Sequence, residues 1–437
     1  MSQTEVSELA AALADAGGGP EEYVLLGLPD LNGYLRGKAL RRSAFEAAVH
    51  DGTVMTDLLL GLDPIDTPIA TYEEFGIRSG AGDLVLHPDI ETLHELTWRP
   101  GWSVCLGTPT WRDGRPCELS VRETLRRSLD AMAELGYDVR AAIEYEIRIW
   151  DSEGQPLSTG ISYSLVEVGR YHELVGALGP ALAGLGVELS AVHTEAGPGL
   201  LELNLAARKG LRAADDAAYV KLAVKEVAST LGLRASFLAK TAPGEEGSSG
   251  HVHLSCWSDG ENAFAGEDVV APAVAGILEH LPAASLLLNP TINSYKRLVP
   301  GWFAPINVSW GLENRSCALR VIRGSDPARA RIECRRPGAD ANPYLALAAL
   351  VASAADGIRR GAEPPAPVGG DAYARDDLPT LPGSLESALA AFRADSGLRA
   401  ALGEEFSEYY ATSREWELFA WREGVSDWER ERYERAV

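Results

Sequence analysis

Five glutamates, two histidines and five arginines in this chain stand at spacings that could do chemistry, and short stretches carry them. "AAIEYEIRIW", residues 141–150, alternates Ile143, Tyr145, Ile147 and Ile149 with Glu144, Glu146 and Arg148. Strand side chains alternate faces, so both glutamates leave one face, roughly 7 Å apart by the strand rise. Two carboxylates that close repel unless something positive sits between them. "GHVHLS" sets His251 and His253 against Val252 and Leu254, and "LLELNL" sets Glu202 and Asn204 against leucines. "HTEAGPG" supplies Glu195 before a turn-forming Gly-Pro-Gly, and "RIECRR" groups Arg331, Glu333 and Arg335, with Ile332 and Cys334 turned inward.

Taken singly, each stretch reads as a half-exposed antiparallel strand with a solvated face, and two histidines two apart are commoner on such strands than at metals. Together they make an oxygen-rich set with an occasional imidazole, which suits Mg²⁺ or Mn²⁺ rather than zinc. Two such ions could share these ligands and supply the missing positive charge. Arg297 in "NSYKRLVPG", Arg315 and Arg320 in "NRSCALR", and Arg331 and Arg335 add guanidinium groups. Guanidinium grips carboxylate and phosphate bidentately, and paired metals with arginines are the apparatus of phosphoryl transfer. Residue chemistry thus reaches a metal- and phosphate-handling enzyme without naming its substrates.

The elements that must position these groups form two sections. At 437 residues, 46% hydrophobic and 24% charged, the chain predicts an ordinary globular protein of two domains. A β-rich first section ends near "WRDGRP", with the boundary at 113–117, before the helix "SVRETLRRSLDAMAELG". "SELAAALADAG" reads as a short opening helix. The second section mixes helices (171–185, 214–232, 271–289, 342–360) with strands (141–150, 187–192, 200–206, 250–257, 305–310, 316–323, 329–335), and a helical C-terminus runs from 384. This interleaving predicts an α+β fold rather than a doubly wound parallel sheet. The net charge of −23 excludes nucleic acid and anionic membranes as partners. No apolar run approaches bilayer-spanning length, and Met1 to Tyr23 is unlike a secretory signal. Five scattered cysteines without CxxC spacing argue against disulfides and structural zinc, so a cytoplasmic location is expected.

In order and spacing, "IEYEI", "HTEAGPGLLELN", "GEEGSSGHVHLS", "NSYKRLVPG", "NRSCALRV" and "RIECRRPGADANPYLALAA" resemble the glutamine synthetase family over nearly the whole chain. The resemblance implies a small N-terminal β-grasp domain (1–113) and a larger catalytic domain (114–437) with a curved antiparallel sheet and helices. It implies a homo-dodecamer of two stacked hexameric rings, with active sites between subunits. Glu146, Glu195 and Glu202 would hold one divalent ion, and Glu144, His251 and Glu333 another, with two or three ions per site. His253, Ser255 and Arg331 match nucleotide-contacting positions, and Arg315 and Arg320 the phosphate-gripping pair. Gly247, His251, Arg297 and Arg335 match positions that hold substrate glutamate, and Arg315 and Arg335 are the expected catalytic arginines. The family's chemistry forms γ-glutamyl phosphate from ATP and glutamate, which a nitrogen nucleophile then attacks.

The departures concern that nucleophile. Ammonia-using members read V-P-G-Y-E-A-P where this chain reads "VPGWFAP", so Phe303 replaces the carboxylate that takes a proton from ammonium. Glu246 replaces an asparagine before the glycine of the glutamate-binding loop. The D-G-S-S ammonium motif is not recognisable in "VMTDLLLGLD", where Asp57 is the candidate aspartate. Nor does "YARDDLPTLPG" offer a match for the adenylylated tyrosine. These changes resemble the branch that joins glutamate to organic amines, with Phe303, Trp302 and Asp57 as the expected amine pocket. The alternatives are an ammonia-using glutamine synthetase with a relocated base, a non-catalytic scaffold, and a kinase that stops at phosphoryl transfer.

Overall fold

The computed structural model describes residues 22–436; the helix expected over "SELAAALADAG" lies outside them. Six strands lead: β1 (Tyr23–Pro29), β2 (Leu35–Arg41), β3 (Thr53–Thr56), β4 (Asp83–Pro88), β5 (His94–Glu95) and β6 (Trp102–Trp111). They form one sheet in the order β2-β1-β6-β4-β3, with β5 also on β6. The β1–β6 pair is parallel and the others are antiparallel. Helix Arg42–Asp51 lays Phe45 and Ala48 onto this sheet, against Leu26, Met55 and Leu86. The boundary expected at 113 falls in the turn after β6, before Ser120 caps helix Val121–Ala133 by accepting the Glu123 amide.

Ten strands form the second sheet. They are β7 (Asp138–Trp150), β8 (Leu189–Thr194), β9 (Leu200–Leu205), β10 (Arg208–Lys209), β11 (Arg234–Ser236), β12 (Gly250–Ser258), β13 (Glu261–Asn262), β14 (Trp310–Leu312), β15 (Leu319–Ile322) and β16 (Arg331–Cys334). The order is β14-β15-β16-β12-β7-β9-β8, with β10 and β11 on β7 and β13 on β12. The sheet is antiparallel except at β14–β15.

One face of this sheet carries Ile143, Tyr145, Ile147, Leu201, Leu203, Val252, Leu254 and Ile332, all buried. These pack with helices Val121–Ala133, Arg212–Thr230 and Pro343–Arg360. Helix Pro343–Arg360 begins where Asn342 accepts the Tyr344 amide and Pro343 fills the first turn; it stops at Gly361 in the left-handed region. It crosses helix Glu267–Leu288 at a glycine pair. A Cβ on Gly276 would sit 2.2 Å from the Ser353 carbonyl, and one on Gly357 2.1 Å from that of Pro272.

Two expectations are corrected. Helix Glu267–Leu288 is long and apolar enough to cross a membrane by composition, but 72% of its most apolar window is buried in the fold. Packing therefore explains its composition. The strand expected over 305–310 begins at Trp310, because Asn307 turns its side chain to the Ala372 carbonyl and makes only a single bridge to Thr380.

The two sheets share one core. Leu31, Tyr72, Phe75 and Leu106 belong to the same apolar cluster as Tyr145, Leu350 and Tyr409. Tyr72 donates its hydroxyl to the Tyr409 carbonyl at 2.7 Å, while Tyr409 donates its own to the Leu60 carbonyl at 2.7 Å. Asn342 donates to the Asp30 carbonyl at 2.9 Å, and Tyr219 to that of Thr92 at 2.7 Å.

Candidate active site

The opposite face of the second sheet collects the acids, imidazoles and arginines, because register lines up their strands. Glu144 on β7 stands beside His251 on β12 and Asn204 on β9; Glu146 stands beside Glu202; Glu333 on β16 lies between His253 and Arg320. Side chains at paired positions share a face, so the polar set of each strand merges into one patch.

Two clusters result. In the first, Glu144, His251 and Glu333 each present a ligand atom, all within 4.8 Å of one another. His251 Nδ1 lies 3.8 Å from Glu144 and 3.7 Å from Glu333, wider than a hydrogen bond. Its Nε2 is buried with no hydrogen-bond partner. Carboxylates spaced this loosely about an imidazole nitrogen are what a cation site requires. Burial opposes the charge on Glu144, but the facing His253 and His251 rings outweigh it and hold the carboxyl far below its usual range. Burial likewise opposes Glu333, yet Arg335, followed by His253 and His251, holds it down at about 2.

The second cluster is His193, Glu195 and Glu202. Glu195 and Glu202 were expected together; His193 was not. Its Nδ1 lies 3.2 Å from Glu195 and its Nε2 3.0 Å from Glu202. Burial disfavours charge on this ring, but the two carboxylates outweigh it and push His193 up to about 10. An entering cation would compete with that proton. Tyr163 stacks on His193 with ring centroids 4.3 Å apart. Glu146 stands outside this trio: its Oε2 accepts the Ser249 amide at 2.6 Å, and burial raises its pKa.

The arginines surround the first cluster. Arg320 bonds Glu333 at 3.0 Å and Glu313 at 2.8 Å. Arg335 also bonds Glu333, and its Nε donates to the Arg315 carbonyl at 3.0 Å. Arg315 itself is exposed. Arg331 Nε donates to His253 Nδ1 at 3.1 Å, which leaves Nε2 as the protonated nitrogen facing Glu144 at 3.0 Å. Ser255 is engaged elsewhere, accepting the Trp257 indole N–H at 2.9 Å.

Arg297 is buried, donating to Ser249 at 3.2 Å and to the carbonyls of Arg336 and Pro337, with Nε unpaired. Gly247 rests on its stem, where a Cβ would lie 2.3 Å from Arg297 Cγ. Burial, aided by Glu146 and Glu195, pushes Glu246 up to about 6. Trp302 lies under the Lys240 ammonium at 4.2 Å, and Lys240 donates to the Glu245 carbonyl, so the tryptophan is tied to the Gly247 loop. Phe303 is 56% exposed with φ of +52°. Asp57 is buried in the first sheet's region, accepting the Gly76 amide at 3.1 Å. Within one chain, no hydrogen bond or ion pair among the described residues joins Asp57 to either cluster.

The sequence pattern described as "Glutamine synthetase, catalytic domain" matches residues 118–433. A glutamate–isopropylamine ligase from a Pseudomonas species is 34% identical, covering 94% of this chain and 95% of its own. A γ-glutamylethanolamide synthetase, GlnA4, from Streptomyces coelicolor is also 34% identical, covering 98% and 96%. Archaeal and bacterial glutamine synthetases match at 31–34% identity. A solved structure described as a GmaS/ADP complex superposes with a TM-score of 0.86 at 26% identity, over 97% of this chain and 98% of its own.

Proposed function

This chain belongs to the glutamine synthetase family, and from that premise we propose that it joins the γ-carboxylate of L-glutamate to an organic amine, using ATP. One observation carries the reading: the acid–imidazole cluster of Glu144, His251 and Glu333 stands intact beside Arg320 and Arg335, while Phe303 occupies the place of the family's ammonium-deprotonating carboxylate.

A glutamate γ-oxygen attacks the γ-phosphorus of ATP, and the bond to ADP breaks as the acyl phosphate forms. The amine nitrogen then attacks the acyl carbon, phosphate leaves, and the nitrogen gives up one proton. Glu144, His251 and Glu333 would hold one divalent cation, and Glu195, Glu202 and Glu146 the other, with His193 alongside; these ions would offset charge on the phosphoryl oxygens. Arg315 and Arg320 serve the phosphates, with Arg320 Nη2 freed by releasing the exposed Glu313 while Nη1 stays on Glu333. Arg297, Arg335 and the Gly247 backbone hold the glutamate carboxylates, fixing the γ-oxygen for in-line attack. His253, Ser255 and Arg331 line the nucleotide side, where Ser255 must exchange its bond to Trp257.

The same premise supports assembly into stacked rings, a neighbouring copy bringing its first sheet and Asp57 to the amine side of each site. Five buried, free cysteines fit a reducing, cytoplasmic setting.

The test is phosphate release from ATP with Mg²⁺ and glutamate, against ammonium, ethanolamine, putrescine, spermidine, isopropylamine and aniline. One organic amine far ahead of ammonium supports the ligase and names its substrate. Ammonium ahead of all makes the chain a glutamine synthetase, and no glutamate-dependent release rejects both.

A further inference from the structure

Arg148 extends the strand face that bears Glu144 and Glu146, yet its side chain is only 1% exposed. A buried guanidinium is costly unless its donors find partners; here two loops supply them for Nη1 and Nη2, while Nε stays unpaired. Nη1 donates to the Pro198 carbonyl, and Nη2 to that of Glu246. Glu245 pairs with the charge at 3.0 Å. Gly197 lies flat on the group, where a Cβ would meet Nη2 at 2.7 Å. Pro198 is three residues beyond Glu195, and Glu246 directly precedes Gly247. Among the described residues, no backbone hydrogen bond joins these two loops directly.

We infer that Arg148 is a positioning residue, tying the turn that carries Glu195 to the loop that carries Gly247. One planar fork fixes the spacing between a cation-binding carboxylate and the backbone that receives substrate glutamate. The kinetic side of this inference rests on the proposed function; the tie itself rests on geometry. Lysine cannot replace it, because a single ammonium is a point donor and does not span two carbonyls with a fixed fork.

Arg148→Met and Arg148→Lys test the tie in the full-length protein. Amide hydrogen exchange should accelerate in both 196–199 and 243–248, with β12 unchanged. The glutamate KM should rise by about 10–100-fold, as when residues supporting a site's ligands are lost, while the ATP KM moves less than threefold. Added guanidinium should restore part of the Arg148→Met loss, and Arg148→Lys should behave like Arg148→Met. If Arg148→Met does not fold, Gly197→Ala serves, since its methyl displaces only the guanidinium from its seat; it should shift exchange in the same two loops. Faster exchange in only one loop, or in neither, overturns the tie. So does an equal rise in both KM values. If wild type releases no glutamate-dependent phosphate, the proposed function falls, and the exchange pattern still decides the role of Arg148.

Discussion

Glu333→Gln is the most direct test of the electrostatics that hold the first cluster. The carboxylate is almost fully buried, with Arg320 3.0 Å from one oxygen, Arg335 on the other, and His251 at 3.7 Å. Glutamine keeps one acceptor but turns an N–H₂ group toward an arginine, so one charge-assisted hydrogen bond is lost. Such a bond contributes about 1.5–3 kcal/mol, and Arg335 also loses its counter-charge, whereas Arg320 retains Glu313. The shifted ionisation of this carboxyl points to the same scale. The Glu333 carboxyl falls from 4.5 to about 2 on folding, which at about 1.4 kcal/mol per pH unit is about 3 kcal/mol. The folded pKa is the lower one, so this stabilisation is present above pH 4.5 and is lost as pH falls toward 2, with less than half remaining at pH 3. Urea unfolding of EDTA-treated wild type and Glu333→Gln, followed by tryptophan fluorescence, should show the full difference at pH 6–7 and less than half of it at pH 3. A difference below about 1 kcal/mol at neutral pH, or one that does not shrink in acid, would refute the argument.

His280 sits between Asp395, at 2.7 Å, and Asp356, at 3.2 Å; burial works against its charge, but the two carboxylates outweigh it and raise its pKa. Wild type should therefore exceed His280→Gln by about 1.5–3 kcal/mol at pH 5–6, and the margin should shrink as pH rises past 6.5 and again as it falls below 3.8; a margin that grows with pH contradicts this. Gly276→Ala places a methyl against the Ser353 carbonyl, so unfolding measurements should show a loss of about 3 kcal/mol or more; a gain, as helix propensity alone would give, rules out the close crossing. Phe303→Glu alters an exposed ring, so stability should move by less than about 0.5 kcal/mol, while ammonium-dependent phosphate release should rise relative to that with organic amines. No change in that ratio would remove Phe303 from the account of the amine.

Strand periodicity carried the reading of the site a long way. The alternation in β7, β9, β12 and β16 is local, so it assigned Glu144, Glu146, Glu202, His251 and Glu333 to polar faces before any pairing was known. His193 escaped because the strand expected over 187–192 runs to Thr194, past a register shift between Leu189 and Ala191. The two-residue extension pairs His193 with Glu202 across the ladder, on the same face. The engagement of Glu146 by the Ser249 amide and of Arg148 by two distant carbonyls was illegible for another reason. Partners 103, 50 and 98 residues away supply these bonds, and no local pattern encodes a contact of that range. The helix expected over 271–289 starts earlier, at Glu267, and accommodates Pro272 inside it.

The reciprocal bonds between Tyr72, Tyr409 and Leu60 have a practical meaning for anyone cutting or moving parts of this molecule. The boundary near residue 113 separates two sheets but not two folding units, because the aromatic seam beneath it draws on both ends of the chain. Excising 118–433 would leave Tyr409, Tyr219 and Asn342 facing solvent with donors aimed at nothing, and neither half is expected to be recovered in soluble form alone. The first sheet is correspondingly unable to swing as a lever over its own chain's second sheet. Any opening around substrates is left to segments outside the seam, such as the largely exposed turn 299–303.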